Sequence, residues 1–240
     1  MKPVVIIARR ELHSFFNSAV AYIAVTLFLG LTAVWFFAIY GFAARDFASL
    51  RGYFGLMPFL FIVLLPAITM RSWAEENKSG TAELLLTMPF SELQLVLGKF
   101  LGALVLVLIM LAFTLAVPLT VLPLARFEIG EIVGQYVGTV LLACAGLSLG
   151  QFVSSLSRNQ ISAFLISSLL LLLISVLHVV NAVSALPRVL ALTVNHLSLL
   201  THYESFARGL IDSRGVVHYA LLTVAFLYLS ARVLVIKKWS

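Results

Sequence analysis

Charge is what this chain lacks most: only 11% of its 240 residues are Asp, Glu, Lys or Arg. A soluble domain carries roughly 25%, and a core facing water needs a polar shell that so few charges cannot supply. With 62% hydrophobic residues and a mean hydropathy of +1.08, lipid must be the solvent for much of the surface. Cysteine is all but missing. The one thiol, Cys144, lies in an apolar run, which excludes an internal disulfide or cysteine metal site and makes it a small packing residue. Acids are scarce, 10 against 16 bases, and none falls in the middle of an apolar run. That removes the acid–base pair of an intramembrane hydrolase and the series of Asp, Glu or His that a proton relay uses. His178, near Asn181, has no second ligand at metal spacing and reads as a packing residue. A phosphate-cradling G-x-x-x-x-G-K-[ST] is absent too, since the only Gly-Lys pair, Gly98-Lys99, precedes Phe100. The bases come one or two at a time, without the clustered stripe of a nucleic-acid binder.

What is there instead is a series of long charge-free runs. A charge at mid-bilayer costs ~2.5–3.5 kcal/mol, so charge-free windows of ~20 residues are the natural spans. Six exist, at 14–44, 52–70, 100–125, 132–157, 159–187 and 215–231. They predict an all-α membrane protein with spans at 18–43, 53–70, 100–123, 133–153, 160–183 and 216–236. A membrane barrel would show shorter, alternating segments. With both termini inside, ten basic residues fall on the inner side and six on the outer, three of those in one long segment, so that orientation is the better one.

Residues 1–17 are not a secretory signal, because Arg9, Arg10 and Glu11 break the apolar run at once. As a helix, Val5, Ala8, Leu12, Phe15 and Phe16 share a face, with Lys2, Arg9, Arg10 and His13 mostly opposite. This predicts an amphipathic helix on the inner surface, the alternative being a plain extension of the first span. Glycines recur at four-residue spacing: Gly98 and Gly102, then Gly130, Gly134 and Gly138, then Gly146 and Gly150. Small residues so spaced bring helix backbones together in lipid, by default within one chain. In the outer segment 184–215, His196, Leu200, Tyr203, Ala207 and Leu210 keep helical spacing, while Ser198, His202, Ser205, Arg208 and Asp212 lie off that face. The segment is too short and polar to span and reads as helices dipping into, or lying on, the outer interface.

The inner loop 71–99 is the most informative stretch. It holds Glu75, Glu76, Glu83 and Glu92, four of the ten acids. Gly80 allows a sharp turn, Thr81 caps the next helix, and Glu83 sits in its first turn, where the macrodipole favours an anion. Leu84, Leu85 and Leu86 follow, and Pro89 stops the helix. Three leucines around so short a helix cannot all face their own core, so some face a partner or the headgroup layer. Ser91 and Gln94 stand at capping-box spacing before the third span.

Residues 75–89, Glu-Glu-Asn-Lys-Ser-Gly-Thr-Ala-Glu-Leu-Leu-Leu-Thr-Met-Pro, followed by Leu97-Gly98-Lys99, resemble the signature of ABC-2-type transporter permeases. The closest likeness is to the subgroup associated with gliding motility and nitrous-oxide-reductase maturation. Residues 150–160, with Ser157, Arg158, Asn159 and Gln160 in the second cytoplasmic loop, and residues 206–212 match as well. The resemblance implies a type V ABC exporter fold, with an N-terminal connecting helix, a cytoplasmic coupling helix and re-entrant outer helices. It implies that residues 75–89 dock on a separate ATPase chain, which binds ATP and magnesium in trans. Two ATPase subunits and a second permease chain, identical or paralogous, would complete the unit in a bacterial inner membrane. An auxiliary subunit with an outer domain would be another polypeptide. Replacing Leu85 or Glu83 is expected to uncouple ATPase activity from transport without unfolding the membrane part. Two readings stay open: export of a cargo, including a lipid, or a scaffold that passes ATPase motion to an outer partner.

Overall fold

The computed structural model describes residues 2–40, 49–81, 85, 90–121, 128–183 and 196–239. Ten helices are described: α1 (Lys2–Phe16), α2 (Ala19–Val34), α3 (Arg51–Gly55), α4 (Met57–Ser79), α5 (Glu92–Thr114), α6 (Ala116–Val121), α7 (Ile129–Leu156), α8 (Gln160–Val183), α9 (Leu199–Ala207) and α10 (Ser213–Trp239). No strand occurs among the described residues. Six stretches are long and apolar enough to cross a membrane: α2 with its π-helical end Trp35–Ile39, α4, α5 with α6, α7, α8 and α10. Backbone groups in lipid must be satisfied within the segment, which is why apolar runs of this length become helices.

The long elements bend where their chemistry requires it. Pro66 inside α4 has no N–H to give to the carbonyl of Ile62 one turn earlier. The α5–α6 break at Leu115 precedes Pro118, which likewise has no N–H for Thr114. The π-helical turn ends the first span, and the Trp35 indole N–H there donates to the carbonyl of Gly52 at 2.9 Å.

The centre of the bundle is α7. It packs against α4 and α10 most extensively, and against α8, α9 and α5 as well. Its glycines make this approach possible. A methyl group at Gly146 would lie 2.4 Å from Leu65 of α4, and one at Gly150 would lie 2.2 Å from Thr69 of the same helix. At Gly138 it would meet Phe206 of α9 at 2.2 Å, and at Gly134 the backbone of Gly209 at 2.7 Å. Gly98 and Gly102 of α5 take α1 in the same way, against Ile7 and Glu11. Gly130 faces open space.

Two faces differ from the sequence reading. α1 turns Val4, Ile7, Ala8, Glu11 and Phe15 inward, against α5 and its neighbours, and leaves Val5 and Ile6 outward with Arg9 and His13. Ala8, Leu12, Phe15 and Phe16 keep the expected face and only Val5 leaves it, while the stripe widens to Val4, Ile7 and Glu11 because the two glycines of α5 admit that edge. In α9 the buried face is Leu199, Tyr203 and Phe206, while Leu210 is exposed. Ser198, expected off the face, is buried and donates to the carbonyl of Ser175 at 2.9 Å. Tyr203 donates to the carbonyl of Phe54 at 2.9 Å and lies 3.0 Å from the Thr139 hydroxyl, tying α9 to α3 and α7. Burial pushes its phenol above the usual range, so it stays a donor.

Candidate functional site

α4 does not stop at the end of its apolar run. It continues through residues 71–79 as a polar stalk, held by the Arg71–Glu75 pair one turn apart at 3.2 Å. Gly80, in the left-handed region at φ 71°, ends it. Ser79 closes that end by donating to the carbonyl of Glu75 at 2.9 Å, and its hydroxyl lies 2.8 Å from that of Thr81. The reciprocal capping box of Ser91 and Gln94 then starts α5.

Lys99 joins these pieces. It lies about two turns into α5, and its side chain is only 6% exposed. A lysine ammonium has three N–H groups and no acceptor, and here each has a partner. Nζ donates to Glu76 at 2.8 Å, to the Ser72 carbonyl at 2.7 Å, and to Glu11 of α1 at 3.4 Å. The ammonium also sits 4.8 Å from the centre of the buried Trp73 ring. Both carboxylates are mostly buried, at 19% exposure each. One lysine thus fastens α1, the α4 stalk and α5 to one another.

A second fastening ties the stalk to α7. The Ser154 hydroxyl accepts the backbone N–H groups of Trp73 and Ala74 at 3.1 and 3.2 Å, and donates to the carbonyl of Met70 at 3.1 Å. A side chain is therefore inserted into the hydrogen-bond ladder of α4 at the root of the stalk. Asn77 adds bonds to the carbonyls of Ser155 and Ser157 at 3.3 and 2.9 Å.

Between α1 and the stalk opens a cleft of about 570 Å³. Arg10, Glu11, Ser14, Glu75, Glu76 and Leu85 are among its walls, with Lys99 at its floor. Of the residues singled out from the sequence, Glu75, Glu76, Thr81 and Leu85 meet here. Glu75 and Thr81 are exposed and Glu76 is held by Lys99. Leu85 is 8% exposed and packs into the protein's own core. Replacing it therefore removes core packing as well as any contact at the stalk. Glu83, Leu84, Leu86 and Pro89 lie outside the described residues, as does most of the helix expected there. In the second loop, Ser157 donates to the carbonyl of Val153 at 3.0 Å, and Asn159 accepts the Ile161 N–H at 3.0 Å. Arg158 is exposed, and Gln160 begins α8. Sequence reasoning missed Glu11 as a partner of Lys99, and it singled out the stretch 150–160 without the bonds of Ser154 to α4. The one available signal was a lone acid, Glu11, among bases on α1.

The site, among the described residues, has its two mostly buried carboxylates, Glu11 and Glu76, both engaged by Lys99. What it offers is mechanical: an exposed polar stalk tip, rigidly joined through buried polar bonds to three other helices. Residues 16–198, most of the chain, match the family model of an ABC-2 family transporter protein. No curated protein matches the chain.

Proposed function

The chain belongs to the ABC-2 family of transporter membrane proteins, and from that premise we infer that it is a permease subunit driven by a separate ATP-hydrolysing chain. The observation that carries this reading is the Lys99 joint. A push on the stalk end, around Glu75 and Thr81, reaches α1 and α5 through Lys99 and reaches α7 through Ser154. Helices packed glycine-to-side-chain do not deform continuously, so the push moves them as bodies across the bilayer. The exposed carboxylate of Glu75 and the Gly80 turn are the contact points an ATPase cleft would find. ATP and magnesium belong to that chain.

The working unit we propose has two ATPase subunits and a second permease chain, in a bacterial inner membrane with both termini on the cytoplasmic side. The excess of bases at the stalk end supports that orientation. Placement in the narrower gliding-motility and nitrous-oxide-reductase-maturation subgroup rests on the resemblance of residues 75–89 and 97–99, with 150–160 and 206–212.

The test is purification from the native membrane in a mild detergent, with identification of what accompanies the chain. An ATP-binding subunit in the complex supports the reading, and its loss with Glu75→Arg in a chain that still folds places the contact at the stalk. A chain that comes out alone, with no ATP-binding partner under any mild condition, overturns it. A further subunit without substrate-stimulated ATPase activity points to mechanical transmission, and stimulation by one lipid or polymer points to export.

A further inference from the structure

At the end of the bundle opposite the Lys99 joint, three of the five histidines gather. His202 of α9 and His218 of α10 lie face to face, ring centres 4.2 Å apart and planes within 2°. His196, just before α9, has its ring centre 6.3 Å from that of His202. Nδ1 of His202 lies 3.1 Å from the Ser198 carbonyl, which can only accept, so that nitrogen carries hydrogen. Nε2 of His218 is buried without a hydrogen-bond partner. Parallel rings this close aim their nitrogen lone pairs side by side and not at one point. No group of three side chains among the described residues is placed to hold a metal ion. The ligand such a pair can take up is a proton.

The surroundings offer that proton no counter-charge. On α9, Glu204 is turned to Arg208 at 3.5 Å. On α10, Arg214 stands one turn before His218, and the Asp212 carboxylate accepts the Arg214 backbone N–H at 2.9 Å. On α7, Glu131 is taken by Arg51 at 3.1 Å and Gln135 at 3.3 Å. On α5, Glu92 pairs with Lys238 at the far end of α10. The described side chains of α8 include no titratable group. The Tyr219 ring, 5.8 Å from His218, uses its hydroxyl to donate to the Leu199 carbonyl at 2.7 Å, and Tyr203 stays protonated. No described carboxylate lies within ion-pair distance of the three rings.

We propose that the His202–His218 pair is a proton-binding site that controls how firmly α9 is held on α10. In the closed stack α9 is docked through the bond from Tyr219 and through Phe206 against Gly215. A proton on His218, whose Nε2 has no partner, sets a charge over the face of the His202 imidazole, beside the His196 ring, and the contact loosens. The sign follows from linkage. Docked, a proton on this pair would face neighbouring rings and no described carboxylate, whereas undocking gives it water, so docking weakens as the pH falls below ~6.5, where a free imidazole takes its proton. For one proton the undocked fraction rises about tenfold per pH unit below that value. The site is independent of ATPase coupling and stands whether or not that reading does.

Hydrogen–deuterium exchange of the full chain in lipid nanodiscs, at about pH 7.5 and about pH 5.5 and corrected for intrinsic rates, tests it. The Leu199–Ala207 amides are expected to exchange about tenfold faster at the lower pH, with α7 unchanged. His218→Phe keeps a ring in the stack and no proton, and it is expected to abolish the rise. His202→Phe is the second variant. A wild-type chain with no rise, a rise shared equally by α7, or a rise that survives both Phe variants overturns the proposal.

Discussion

Lys99→Met is the sharpest perturbation of the joint. It removes three N–H bonds, at 2.7, 2.8 and 3.4 Å, and leaves the carboxylates of Glu11 and Glu76 facing each other at 19% exposure each. Removing one partner of a buried ion set strands the other charges and costs about 3–5 kcal/mol. At about 2–4 °C per kcal/mol for a chain of this length, the melting temperature drops by about 6 °C or more. Glu11→Gln touches only the longest contact and leaves the Glu76 pair whole, so it costs about 1 kcal/mol or less. The triple variant Lys99→Met, Glu11→Gln, Glu76→Gln removes every charge at once and recovers most of the loss, since apolar or neutral replacement of a whole buried ion set is often near neutral. Thermal unfolding in nanodiscs, followed by tryptophan fluorescence, reads all three, and Trp73 under the ammonium reports locally. If Lys99→Met melts no lower than Glu11→Gln, or the triple variant melts as low as the single one, the joint does not hold these helices together.

Gly138→Leu drives a side chain into Phe206 and is expected to cost about 1–3 kcal/mol and free α9 for proteolysis, while Gly130→Ala, facing open space, changes neither. Ser154→Ala leaves the amides of Trp73 and Ala74 without their hydroxyl acceptor, and it should cost about 1–3 kcal/mol and speed amide exchange at the stalk root. Tyr203→Phe strips the donor from the Phe54 carbonyl for about 1 kcal/mol, read as a lower melting temperature at unchanged expression.

Spans were legible because one large term, the cost of charge in lipid, decides them, and the described helices follow that rule. The Ser91–Gln94 box was legible because both partners sit within one turn. Continuation of α4 past Met70 was hidden by charges that read as a loop, although Arg71 and Glu75 at four-residue spacing were a usable helix signal. The contact of Glu11 with Lys99 joins residues 88 apart, and nothing local in either neighbourhood announces it. The glycine spacing announced close approach without naming the partner: Phe206 and Leu65 are chosen by the three-dimensional arrangement of α7. The same holds for α1, whose buried edge is set by where Gly98 and Gly102 fall on α5.

The order of these contacts along the chain matters during synthesis. Every member of the Lys99 joint, from Glu11 through Ser72, Trp73 and Glu76 to Lys99 itself, is synthesised before the first residue of α7. The amino-terminal half can therefore lock its own three helices first and present a finished groove, with the Trp73 and Ala74 amides on its wall. α7 then arrives as the wedge whose Ser154 completes that wall. A nascent chain assembled in this sequence does not have to leave the buried ammonium unpaired while it waits for its distal spans.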